Sequence, residues 1–315
     1  MNKVKKNLPI VSICCMSYNH APFIRKTLDG FLMQQPPSCV SQDAKLSDWC
    51  EILIHDDAST DGTNNIICEY AEKYPDLFHP LYETENQYSK GKVMDVYNYN
   101  RVNGRYIAVC EGDDFWTDPY KLQKQVDFME SHQEYSVCFH RVTHFNICTN
   151  EEEDDKCGQI LKDSEGIDIT LEMFFKGWYT QPLSAVFRTT LYDFSLPYRY
   201  KYYRDMHEIY HLLKRGKGRL MAFYGGVRTI HSGGVASMIT PKQYCDLSLP
   251  MDGEFYWKTL DKGPKKIYLE TLDRCVQVYA NENKRKALRC AFIYMLVSHH
   301  PRSLVRYVKM IFRNE

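Results

Sequence analysis

Polar and apolar positions in the first 120 residues alternate in blocks rather than singly. Mostly apolar runs occupy residues 10–16 (IVSICCM), 51–55 (EILIH) and 106–110 (YIAVC). Their length and apolar content predict strands buried on both faces. Between the runs the apolar period lengthens. Ile24, Leu28, Phe31 and Leu32 recur at helical spacing from Pro22 onward, and a second helix is stopped by Pro75. A short strand at 77–82, a polar loop at 83–91 and a helix ending at Gly104, placed as a C′ glycine, lead to the third run. This alternation predicts an α/β fold, a mostly parallel Rossmann-like sheet flanked by helices.

The pattern continues with a helix from Pro119, N-capped by Asp118 and striped by Leu122, Val126 and Met129. Strands are predicted at 135–140, 184–188 and 219–230, and Thr170 caps a short helix carrying Phe174 and Phe175. Five consecutive acids at 151–155 read as a solvated loop. From 251 onward the chain reads as helices, with Leu269-Leu272-Val276 and Leu288-Phe292-Leu296 as packing stripes. The expected division is 1–238 for the α/β domain and 239–315 for a helical C-terminal extension.

Bulk properties narrow the function classes. Lys and Arg equal Asp and Glu at 40 each among 315 residues, so no overall charge points to nucleic acid. No CxxC pair occurs among the 12 cysteines, which argues against a zinc ribbon or a dithiol redox site. The basic N-terminus lacks a cleavage site and its apolar run is too short to span a bilayer. Reduced thiols without an export signal suggest the cytoplasm. At 302–313, Leu304, Val305, Val308, Ile311 and Phe312 oppose Arg302, Arg306, Lys309 and Arg313. Such a helix either docks on the domain or lies peripherally on an anionic membrane face, here the inner membrane.

Candidate chemistry gathers at strand ends. Glu111, Asp113 and Asp114 follow the run at 106–110 directly, around Gly112. Like charges this close repel, and hard cations such as Mg²⁺ and Mn²⁺ select carboxylate oxygens. The first two runs end in Ser17-Tyr18-Asn19-His20 and Asp56-Asp57. All three turns are expected on one rim, since ligands bind outside the carboxyl ends of strands in open α/β sheets. No GxGxxG or P-loop is present.

Three segments, VSICCMSYNHAPFI, EILIHDDASTDGT and NGRYIAVCEGDDFWTDPYKLQKQ, resemble the inverting family 2 glycosyltransferases of GT-A fold, of the type that builds bacterial polysaccharide, capsule or O-antigen. The resemblance covers residues 8–237. It implies a hexosyl- or N-acetylhexosaminyltransferase using a UDP-sugar, Mn²⁺ or Mg²⁺, and a glycan or lipid-linked acceptor. It places Tyr18 by the uracil with Met16 and Ser17 on the same lip, Asp57 accepting a hydrogen bond from the base, and Lys90 approaching the nucleotide. Asp113 would meet ribose or metal, and Asp114 would hold the metal in the DXD-like turn, where Glu111 stands in place of the family's frequent Asp. His231, after the last strand, would close over the diphosphate or complete the metal shell. Asp205 would be the general base, although Arg204 replaces the Glu that usually precedes it; His207 and Glu208 are weaker candidates. Trp116, Trp178 and Gln181 would surround the donor or acceptor sugar. For Asp56 and Asp61, turn capping is the preferred reading.

Two rivals remain open: a non-catalytic nucleotide-sugar-binding module of an assembly complex, and a sugar nucleotidyltransferase. The latter usually carries a glycine-rich loop with Lys or Arg after the first strand, which SYNHAPF lacks.

Overall fold

A computed structural model describes residues 8–162, 164–177, 179–234 and 239–312. The chain divides into two compact units, one of Met1–Pro197 with Asp205–His231, the other of Tyr198–Arg204 with Ser232–Glu315. A short upstream segment, Tyr198–Arg204, goes with the helices.

The first unit is built on strands β1 (Val11–Ser17), β2 (Cys50–Asp56), β3 (Phe78–Tyr82), β4 (Tyr106–Val109), β5 (Phe115–Trp116), β6 (Tyr135–Asn146), β7 (Glu151–Asp154), β8 (Gly166–Ile169), β9 (Val186–Arg188) and β10 (Lys217–Ile230). They form one sheet in the order β3-β2-β1-β4-β9-β6-β10-β5, with β7 on β6 and β8 on β10. The β3-β2-β1-β4 half is parallel, as is β6 with β10. β9 runs antiparallel to both β4 and β6, and so joins two parallel halves into a mixed sheet.

Every residue of β2 is buried, as are six of the seven in β1, which accounts for their mostly apolar character. The helix Ile24–Leu32 buries Ile24, Thr27, Leu28 and Phe31 on one side. Phe31 meets Trp116 edge-on at 4.8 Å between centroids. Each such aliphatic or aromatic burial contributes about 1.5–3 kcal/mol.

Several boundaries differ from the sequence expectation for local reasons. The helix after the acidic turn is Lys121–Ser131, and Asp118 does not cap it. Instead the Asp118 carboxylate accepts from the Tyr120 amide at 2.9 Å and the Lys124 ammonium at 2.6 Å. Gly104 is not a helix C′ residue. Its amide donates to Ser12 Oγ at 2.8 Å, and a Cβ there would lie 2.5 Å from the Ser12 nitrogen. Four of the five consecutive acids form the exposed strand β7, while Asp155 takes an ion pair from Arg141 at 3.0 Å. None of the twelve cysteines is in a disulfide.

The second unit contains the helices Pro241–Thr259, Lys262–Ala280, Lys284–Ser298 and Pro301–Ile311. Leu272 and Val276 enter its core as expected. Phe292 and Leu296 do not: they are 50% and 51% exposed, and Ala287, Cys290, Ala291 and Val297 pack instead. The last helix docks through Tyr307 and Ile311, with Leu304 partly packed. No helix among the described residues is long and apolar enough to cross a membrane.

Candidate functional site

Parallel register aligns three strand ends. Ser17 pairs with Asp56, and Cys14 with Val109. Past the strands, the Asp57 amide donates to the Ser17 carbonyl at 2.9 Å and the Gly112 amide to the Met16 carbonyl at 2.8 Å. The turns after β1, β2 and β4 therefore share one rim, as expected.

On that rim Glu111, Asp113 and Asp114 each offer a carboxylate oxygen within 4.8 Å of the others. Their turn is closed by the Asp114 amide on the Glu111 carbonyl at 3.2 Å. The buried Thr27 hydroxyl lies 3.0 Å from the Gly112 carbonyl and 2.7 Å from that of Asp114, fastening the turn to the helix Ile24–Leu32. Gly112 is required by space: a Cβ would stand 2.9 Å from His20 Nδ1 and 3.1 Å from Ser17 Oγ.

Asp114 is 6% exposed, and its Oδ1 accepts the Thr229 amide of β10 at 2.8 Å. Burial first, then the Asp113 carboxylate, push its carboxyl up to about 8; a cation against the cluster acts in the opposite sense. Asp113 Oδ2 lies 3.1 Å from His231 Nε2 and 3.8 Å from His20 Nε2. Asp113 Oδ1 is buried and has no hydrogen-bond partner among the described residues. Burial holds the His20 imidazole below its ordinary value, and the His231 ring packs 4.7 Å from Phe23. Three carboxylates, an orphaned carboxylate oxygen and an adjacent imidazole fit Mn²⁺ or Mg²⁺.

Tyr18 is 44% exposed and Met16 half-buried, but Ser17 is buried with its hydroxyl beneath the rim rather than on the lip. Asp57 accepts the amides of Gln87 and Tyr88 at 2.6 and 3.0 Å, so it anchors the polar loop. Lys90, on that loop, pairs with Glu85. Asp56 and Asp61 are turn caps: Asp56 holds the Ser59 amide and hydroxyl, Asp61 the Thr63 amide and hydroxyl and the Ala21 amide.

Trp116 is 2% exposed and its indole N–H donates to the Leu183 carbonyl at 2.9 Å. That puts its ring in the core and not on a pocket wall, a correction to the sequence reading. Gln181 precedes a short 3₁₀ turn, its carbonyl accepting from Ser184. Trp178 lies outside the described residues. Asp205 opens the helix Asp205–Leu213, its carboxylate accepting the Met206 amide at 2.8 Å. His207 is fully buried, and Glu208 accepts the Tyr99 hydroxyl at 2.8 Å.

Two participants escaped the sequence reading. Thr229 contributes only an amide, which leaves no side-chain signature. His20 was visible in SYNH, yet its approach to Asp113 depends on Asn19 at φ 55° and on the Thr63 hydroxyl holding the His20 amide at 2.8 Å.

A protein of uncharacterized function from Mycobacterium tuberculosis is 46% identical over 132 residues, 42% of this chain and 35% of its own. TuaG of Bacillus subtilis (strain 168), provisionally named a teichuronic acid biosynthesis glycosyltransferase, is 37% identical over 121 residues, 38% of this chain and 42% of its own. The chain thus spans well under half the length of these curated relatives. Among solved structures, Staphylococcus aureus TarS 1–349 in complex with UDP-GlcNAc aligns with a TM-score of 0.62 at 13% identity, over 96% of this chain and 90% of that one. The mannosyltransferase PcManGT of Pyrobaculum calidifontis, in complex with GDP-Man and Mn²⁺, aligns at 0.52 and 17%, over 98% and 88%. At such identities the likeness is one of fold, the GT-A arrangement. The profile described as Glycosyl transferase family 2 matches residues 12–214, more than half the chain, and to that family the chain belongs.

Proposed function

We propose that the chain is a metal-dependent inverting glycosyltransferase acting in cell-surface polysaccharide synthesis. It moves a hexosyl or N-acetylhexosaminyl group from a UDP-sugar to a hydroxyl of a glycan or lipid-linked acceptor. The observation that carries this reading is the convergence of Glu111, Asp113 and Asp114 at the end of β4, with one Asp113 oxygen buried and unclaimed. Nucleotide-sugar complexes of the fold relatives and the name of TuaG support it.

In this reading Tyr18 and Met16 receive the uracil, Asp57 meets the base and Lys90 leaves Glu85 for the nucleotide. Asp114, Asp113 and His231 hold Mn²⁺ or Mg²⁺, which supplies Lewis-acid neutralisation of the departing diphosphate. Glu111, Gln181 and Trp178 border the sugar. Asp205 accepts the acceptor hydroxyl's proton, because a neutral hydroxyl is a weak nucleophile. A single base acting on the acceptor corresponds to one displacement at the anomeric carbon, hence inversion. The α/β unit serves as the transferase domain and the helices as its extension.

The test is to incubate the purified chain with a panel of UDP-sugars and Mn²⁺. Slow UDP release supports a transferase. Pyrophosphate formed from UTP and a sugar phosphate would assign a nucleotidyltransferase, and donor binding without turnover a binding module.

A further inference from the structure

We infer that the two C-terminal helices form a docking surface for an anionic lipid bilayer. Residues 284–312 contain seven lysines and arginines and no aspartate or glutamate, in a chain whose charges balance as a whole. Lys286 and Arg306 are tied to Asp246 and Asp273 of the preceding helices, at 3.1 and 3.6 Å. Arg285, Arg289, Arg302 and Lys309 are exposed.

Apolar side chains accompany this charge. Once Tyr307 and Ile311 have docked, Val305, Val308 and Phe312 remain outside at 56%, 36% and 39% exposure, spaced i, i+3 and i+7 on their helix. Phe292 and Leu296, one turn apart on the preceding helix, are the residues that failed to enter the core. The Lys284 ammonium sits 5.1 Å from the Phe312 ring centroid, which sets the stripe of the last helix against the start of its neighbour. The sequence alone suggested a single amphipathic helix. In the structure part of that helix's apolar face is used for docking, and the surplus is shared by a hairpin.

A second copy of the chain fits this face poorly. Two acid-free hairpins meeting face to face would repel one another, whereas a negative lipid surface complements both the cations and the apolar stripes. Attraction to the headgroups falls off within a Debye length, so it weakens with salt.

The experiment is co-sedimentation of the full chain with vesicles of phosphatidylglycerol and phosphatidylcholine, and with vesicles of phosphatidylcholine alone. The chain should pellet with the first, lose binding at high salt and stay in solution with the second. Phe292→Glu/Val308→Glu and, separately, Arg285→Glu/Arg302→Glu should each weaken partition at least about tenfold. All four positions are exposed, and an unchanged thermal melt verifies folding. Equal partition onto both vesicle types, absence of pelleting, or variants that bind like the parent would overturn the proposal. So would a concentration-dependent dimer that Phe292→Glu/Val308→Glu dissolves without any vesicle binding.

Discussion

His231 Nε2 lies 3.1 Å from Asp113 Oδ2, across more than a hundred residues of chain. The contact occupies one oxygen of Asp113 and leaves the other facing no partner among the described residues. If His231 serves the nucleotide, His231→Ala should weaken Mn²⁺-dependent UDP binding by about tenfold, the loss typical of a displaced ligand or its support. Calorimetry with and without Mn²⁺ measures it. Equal affinity in parent and variant would remove His231 from the site.

Asp114 and Asp205 separate binding from chemistry. Asp114→Ala should abolish both UDP affinity in Mn²⁺ and transfer. Asp205→Asn should abolish transfer and leave UDP affinity within about twofold, since a general base acts on the acceptor. Near-normal turnover of the purified Asp205→Asn protein would exclude it as the base.

Gly112→Ala tests whether the acidic turn is held by close packing. The added methyl meets His20 and Ile24 at 2.9 Å, and overpacking of this kind costs about 1–3 kcal/mol. The expected result is a lower urea midpoint together with weaker UDP binding. Parent-like values for both would mean that the turn has slack.

Lys121 predicts a pH dependence away from the site. It is fully buried, its ammonium has no hydrogen-bond partner among the described residues, and it lies 3.7 Å over the Trp116 ring. Burial pushes it down to about 7, while the ring favours the charged form and works against that shift. Between about 7 and the ordinary lysine value the unfolded chain holds the extra proton, so stability rises with pH across that window. Below it both states are protonated and the penalty is fully present. Lys121→Met should flatten this rise and stabilise the protein at neutral pH by on the order of 1–3 kcal/mol. Urea titrations of both chains at several pH values read the difference.

What was legible in the sequence depended on whether the signal was local. β1, β2 and β4 announced themselves because burial on both faces favours a mostly apolar run, and a chain leaving such a strand must turn at the rim. Glu111, Asp113 and Asp114 were legible for the same reason. Trp116 misled because an aromatic beside acids reads like a pocket wall, and only the Leu183 carbonyl shows where its N–H goes. The Thr229 amide depends on the register shifts of β10 between Met221 and Gly226, which one sequence does not encode visibly. Phe292 and Leu296 had helical spacing, but spacing alone does not say which of two adjacent faces is covered.

The Asp57 carboxylate holds the amides of both Gln87 and Tyr88. A base arriving at the same oxygens would have to share or displace that mooring, so recognition of the nucleotide and the posture of residues 83–91 become one equilibrium. Asp57→Asn keeps a single acceptor for two amides. It therefore casts the segment adrift at the same time as it alters the base contact, and a loss of affinity in that variant reports on both.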